Sequence, residues 1–221
     1  MDDLLPMVAT RKKTTEDSMK AKEYFDKIDR RKEATAKILE SMKKSDKPFL
    51  MVFLIDATSS MGDYMATARQ VVTSLVKTLD EQMPGCVLNL LAVLYRDPLE
   101  GKEGALENSH VTFMTSDEKV FREKLNNQRA MGVGDVAEDV AGGFELLNNA
   151  IQDLDKNQLL RVFHILDAPA HGFCDGLHSD YHDTNEQRER LRQAINAFTG
   201  LMQQFQEPEY HYFGVSTIDS L

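Results

Sequence analysis

The sequence predicts an α/β layer fold with a mostly parallel sheet, and three observations carry that expectation. Apolar runs of strand length alternate with helix-period segments of about 10 to 20 residues from Pro48 onward. Two of the runs are nearly continuous rather than alternating, as in strands covered on both faces. Polar clusters follow these runs directly, where such a sheet presents its carboxyl edge and where its chemistry gathers.

Residues 1–15 read as a loose terminus. From about Glu16 to Lys44 there is no Gly or Pro, and Ala21, Phe25, Ile28, Thr35, Leu39 and Met42 recur at helical spacings, so a charged helix is expected there. The period changes after Pro48. "FLMVFLI" (Phe49 to Ile55) reads as a central strand, and Gly62 to Asp80 as a helix with Met65, Val72, Leu75, Val76 and Leu79 inward. "VLNLLAVLY" (Val87 to Tyr95) is a second buried strand, and "HVTF" (His110 to Phe113) a short edge strand. Thr115 or Ser116 is expected to cap a helix running to about Asn127. Asp139 to Ile151 is a helix, "RVFHIL" (Arg161 to Leu166) a strand, Asn185 to Gln204 a helix and "YHYFGV" (Tyr210 to Val215) a strand. His164, inside an apolar strand, reads as a satisfied core histidine.

With 221 residues, 42% of them hydrophobic and 28% charged, the chain has the composition of a globular protein with room for one substantial core. Residues 1–47 carry 13 Lys/Arg against 10 Asp/Glu and the remainder 13 against 26, so about +3 precedes −13, with a boundary expected between 1–47 and 48–221. The net charge of −10 argues against general nucleic-acid binding. No apolar run is long enough to span a bilayer, so no membrane insertion is expected. Cys86 and Cys174 stand far apart and read as free thiols, which suits a reducing, cytoplasmic setting.

Four polar clusters fall on the predicted carboxyl edge: "DATSSMG" after the first strand, "YRD" after the second, "GVGDVAED" before a helix and "DAPAHG" after the fourth strand. Asp56, Thr58 and Ser60 alternate in a loop leading into a helix, so their oxygens can converge on one point, as a hard divalent cation requires. Asp167 follows its strand as Asp56 does, and two carboxylates held at adjacent strand ends repel unless a cation or a proton separates them. The alternatives are blander: Ser59, Ser60 or Asp63 capping the helix, Asp167 forming a turn, and Gly132 and Gly134 merely letting a loop bend. A G-x-S-x-G elbow and nucleotide-binding glycine loops are absent from the sequence. Thr58 stands where an aspartyl-phosphate hydrolase places its second aspartate. His171, Cys174, His178 and His182 match no specific zinc spacing.

On these residues the chain resembles von Willebrand factor type A domains, whose first metal loop reads D-x-S/T-x-S. The set "YRD", "GVGDVAEDVAGG" and "DAPAHG" is similar to that of the A-type domains of atypical alpha-kinase proteins. The resemblance covers about residues 48 to 218. It implies a doubly wound, mostly parallel sheet flanked by helices, here preceded by an N-terminal helix, with a metal-ion-dependent adhesion site holding Mg2+, Mn2+ or Ca2+. Carried over, Asp56, Thr58 and Ser60 are the first-loop ligands, Asp135 occupies the place of the usual second-loop threonine, and Asp167 is the third-loop aspartate. Arg96, Asp97, Glu138, Asp139 and His171 then line the rim or support the ligands.

The implied function is non-enzymatic binding of another protein, through an acidic side chain offered to the metal, with the N-terminal helix as a second contact. An extra carboxylate at Asp135 weakens such capture by neutralising the ion. Two alternatives stand beside it: a metal-dependent phosphohydrolase with His171 as proton acceptor, and a structural component of an assembly with a vestigial metal loop. Family members commonly continue with another helix past the last strand, so the 48–221 domain reads as shortened, and no kinase domain is expected in this chain.

Overall fold

A computed structural model describes residue 40 and residues 47–82, 85–96, 110–131, 138–171 and 184–214. The chain divides into two compact units, Met1–Asp46 and Lys47–Leu221. All described residues but Glu40 belong to the second. The expected N-terminal helix therefore lies outside the described residues, apart from that one helical position. Asp97, Asp135, Gly132, Gly134, Cys174, His178 and His182 also lie outside them.

The second unit contains a five-stranded sheet in the order β3-β2-β1-β4-β5. The strands are β1 (Phe49–Asp56), β2 (Leu88–Tyr95), β3 (Val111–Thr115), β4 (Leu159–Leu166) and β5 (Gln206–Gly214). The helices are α1 (Gly62–Gln82), α2 (Glu118–Asn126), α3 (Val140–Ile151) and α4 (Asn185–Met202). Only β3 runs antiparallel among the described strands, so the sheet is mixed and mostly parallel, as the alternation predicts.

All eight residues of β1 are buried, which is why its sequence shows no polar alternation. Leu50, Val52 and Leu54 enter a core with Phe144 and Leu147 of α3 and Leu191 and Phe198 of α4. Phe53 faces the other way, stacking on Phe163 of β4 and packing at a tilt against Phe121 of α2, with ring centroids 5.5 and 5.7 Å away. On α1, Met65, Val72, Val76 and Leu79 are buried as expected, whereas Leu75 is only half-buried.

Two local expectations are corrected. The cap of α2 is Asp117, not Thr115 or Ser116: its Oδ1 accepts from the backbone N–H groups of Lys119 (2.8 Å) and Val120 (3.2 Å). Thr115 instead accepts from the N–H of Asp117 at 3.1 Å. The last strand begins at Gln206 rather than Tyr210, because a bulge admits Glu207 and Pro208 opposite β4. Glu207 takes a φ of 41°, and its carbonyl accepts from the guanidinium of Arg161. The proline is tolerated because β5 lies at the edge of the described strands, where one of its sides forms no ladder with them.

The order places the reversal between β1 and β4. From β1 the chain goes to β2 on one side, and later returns to β4 on the other. The carboxyl ends of β1 and β4 therefore open the crevice in which doubly wound sheets hold ligands.

Candidate functional site

Asp56 is the last residue of β1 and is fully buried. Its Oδ1 accepts from the backbone N–H of Thr58 at 2.9 Å and from the Thr58 hydroxyl at 2.6 Å. This turn accounts for the spacing of Asp56 and Thr58, and Thr58 makes no side-chain capping bond to the 3-10 turn Ser59–Met61 that opens α1. The Ser60 hydroxyl lies 3.2 Å from Thr58 Oγ1, 3.0 Å from Asp167 Oδ1 and 3.4 Å from Glu138 Oε1. Three of the five expected metal ligands from the first loop and Asp167 after β4 thus share one network with Glu138.

Glu138 owes its place to the neighbouring loop. It forms an isolated parallel bridge with Ala170, donating its N–H to the carbonyl of Pro169 (2.9 Å) and accepting from the N–H of His171 (3.1 Å). The side chains of Glu138 and Asp139 consequently part company. Asp139 caps α3 by accepting from Gly142 N–H at 3.0 Å, and Arg190 of α4 pairs with it at 2.9 Å. Arg190 also bonds both oxygens of Glu145 at 2.8 and 2.6 Å, which holds its pKa above the ordinary value. Asp139 is therefore committed to joining α3 and α4.

Of the other expected rim residues, Arg96 and His171 are described, and both join backbone segments. Arg96, nearly buried, donates its backbone N–H to His110 Nδ1 (3.2 Å) and its guanidinium to the carbonyl of Arg129 (2.9 Å). It thereby ties the end of β2 to the segment after α2. His171 is buried, with its backbone in the bridge to Glu138.

Beneath the rim runs a polar chain that sequence reasoning missed beyond His164 itself. His164 Nδ1 lies 2.6 Å from the Tyr210 hydroxyl and Nε2 lies 3.1 Å from the Tyr95 hydroxyl. Burial pushes the His164 pKa down to about 3, so the ring is neutral; one tyrosine donates to it and the other accepts from it. Burial chiefly, then the charges of Asp56, Glu138 and Asp167, raise the Tyr95 pKa well above its ordinary value.

The donor set fits a hard divalent cation on its own chemistry. Every group in it is an oxygen, and Ser60 brings one proton to a place where Thr58 and two carboxylates each present an oxygen. That hydroxyl can satisfy one acceptor at a time. Among the described residues no group of three or more His, Cys, Asp or Glu side chains stands close enough to hold a metal by itself. Among the described residues, an ion here would therefore depend on Thr58 and Ser60 as well as the carboxylates.

Residues 50–174 match the model of a von Willebrand factor A domain. The chain is 30% identical over 161 residues to the alpha-protein kinase vwkA of Dictyostelium discoideum, across 72% of this chain and 24% of that protein. It thus spans about a quarter of that relative's length. Among solved structures it is similar to the pilus adhesin SpaC of Lactobacillus rhamnosus GG in its open conformation, at 14% identity and a TM-score of 0.45, over 55% of this chain and 15% of the adhesin. A second form of that adhesin matches at 13% identity and 0.45, over 56% and 16%. With more than half of its length matched by the family model, the chain belongs to the von Willebrand factor A domain family.

Proposed function

We propose that this chain is a non-enzymatic protein-interaction domain whose rim holds a divalent cation, Mg2+ or Mn2+ foremost, through Asp56, Thr58, Ser60, Glu138 and Asp167. The observation that carries the reading is the Ser60 hydroxyl, whose single proton is shared among Thr58, Glu138 and Asp167. A hard cation supplies the missing positive charge there. Asp135 remains part of the proposed ligand set from the family resemblance.

Asp56, Glu138 and Asp167 alone leave a net charge of about −1 around one divalent ion, and Asp135 would add another negative charge, so the rim is a poor trap for a partner's carboxylate. The cation's role in this reading is to order the loop from Asp167 to His171 against Glu138, and partner recognition lies beside it. A family whose domains are generally non-catalytic, together with a buried His171, gives hydrolysis no support.

The test is paramagnetic. Mn2+ added to chelator-stripped, isotopically labelled protein should broaden the amide signals of Thr58, Ser60 and Ala168 first. Broadening centred on carboxylates away from this rim, such as Asp80 and Glu81 of α1 or Asp153 and Asp155 after α3, would refute the assignment.

A further inference from the structure

Beside the rim lies a groove of about 850 Å3 between α4 and β5. Leu191, Ile195, Phe198 and Met202 line it from α4, and Tyr210 and Tyr212 from β5. Asp167 to Ala170, the loop stitched to Glu138, closes one end. Ile195, Tyr210 and Tyr212 are 38%, 39% and 62% exposed, so the mouth of the groove faces solvent while Leu191 and Phe198 form its floor on the core. From Leu191 to Met202 the α4 wall extends for twelve residues, about 16 Å or three turns of a second helix. That is the footprint of a helix laid in a groove rather than of a compact small ligand.

The charge of the occupant follows from the lining. Among the described lining residues only Asp167 carries a charge at neutral pH, because His164 is held neutral by burial. Residues 48–221 carry 13 Lys/Arg against 26 Asp/Glu.

We infer that this groove docks an amphipathic helix of a partner protein that lays apolar side chains between α4 and β5 and directs a lysine or arginine toward Asp167. The inference rests on the interaction reading above for the class of ligand, but not on the cation.

The test uses the full chain and two labelled helical peptides of about 18 residues, one of leucine and lysine, the other of leucine and glutamate in the same pattern. Fluorescence anisotropy is read in EDTA and in Mg2+, with Ile195→Ser and Tyr212→Ser beside wild type; both positions are exposed enough to spare the fold. The leucine–lysine peptide should bind at least about tenfold more tightly than its partner, and each substitution should weaken it by at least about tenfold. Equal binding of both peptides, or binding indifferent to both substitutions, overturns the inference, since general stickiness or long-range attraction then suffices. Self-association of wild type that Tyr212→Ser abolishes also overturns it, because a second copy is then the occupant. Uptake of the leucine–lysine peptide by a protein that takes up no Mg2+ upholds the groove and removes the cation; uptake of Mg2+ with neither peptide bound does the reverse.

Discussion

Replacing Asp167 by asparagine removes one charge from the rim while keeping the side chain's size and an oxygen near Ser60. Asp167 Oδ1 and Glu138 Oε1 lie 3.0 and 3.4 Å from the same hydroxyl, so they stand at most 6.4 Å apart, the two legs laid end to end. Two unit charges at that separation repel by about 2.6 kcal/mol at an effective dielectric constant of roughly 20. Asp167 is partly exposed, and solvent screening brings the figure nearer about 1 kcal/mol. In EDTA the variant should therefore melt about 2–4 °C above wild type. Excess Mg2+ reverses the order. At about 100 times its dissociation constant a bound ion stabilises the wild type by about 2.7 kcal/mol, or roughly 5–11 °C, and the variant, short of one ligand, forgoes most of that gain. Scanning calorimetry in the two buffers reads both numbers. A variant that melts below wild type in both would refute the repulsion and, with it, the need for a cation.

Three further outcomes are expected. With the native His164 pKa near 3 against an ordinary 6.5, the unfolded chain takes up a proton that the native ring refuses, so stability falls as pH falls between those values. Urea unfolding should show wild type losing about 1.4 kcal/mol more per pH unit than His164→Asn between about pH 6 and 4, and parallel profiles would contradict the burial argument. Tyr210→Phe removes the hydroxyl 2.6 Å from His164 Nδ1 and should cost about 1–3 kcal/mol by denaturant titration, whereas Tyr212→Phe, on an exposed ring, should cost less than about 0.5. Gly143→Ala would bring a Cβ within 2.6 Å of Tyr95 Cδ1, so thermal unfolding should show a loss of about 1–3 kcal/mol that outweighs alanine's helix preference of about 1.

The central strands were legible because burial on both faces writes itself into β1 as an unbroken apolar run, and Asp56 and Asp167 were legible because each directly follows such a run. The start of β5 was not, since Glu207 and Pro208 oppose strand propensity and are accommodated by a bulge and a buried arginine from β4. Glu138 and Asp139 were read together as rim residues, yet their roles differ. Asp139 immediately precedes a helix and serves as its cap, which turns Glu138 toward Ser60; the capping rule held the signal, but only the bridge to Ala170 makes it geometric. The chain Tyr95–His164–Tyr210 joins three strands, and its partners are 69 and 46 residues from His164, beyond the reach of local pattern.

The most direct measurement is calorimetric titration of Mg2+ and Mn2+ into chelator-stripped protein, with Asp56→Ala beside wild type and circular dichroism confirming that both are folded. Saturable uptake near one ion per chain, lost in the variant, is the predicted result. Folded wild type that takes up no ion, or a variant that takes it up as well as wild type, would contradict a cation held by the oxygens of Asp56, Thr58, Ser60, Glu138 and Asp167.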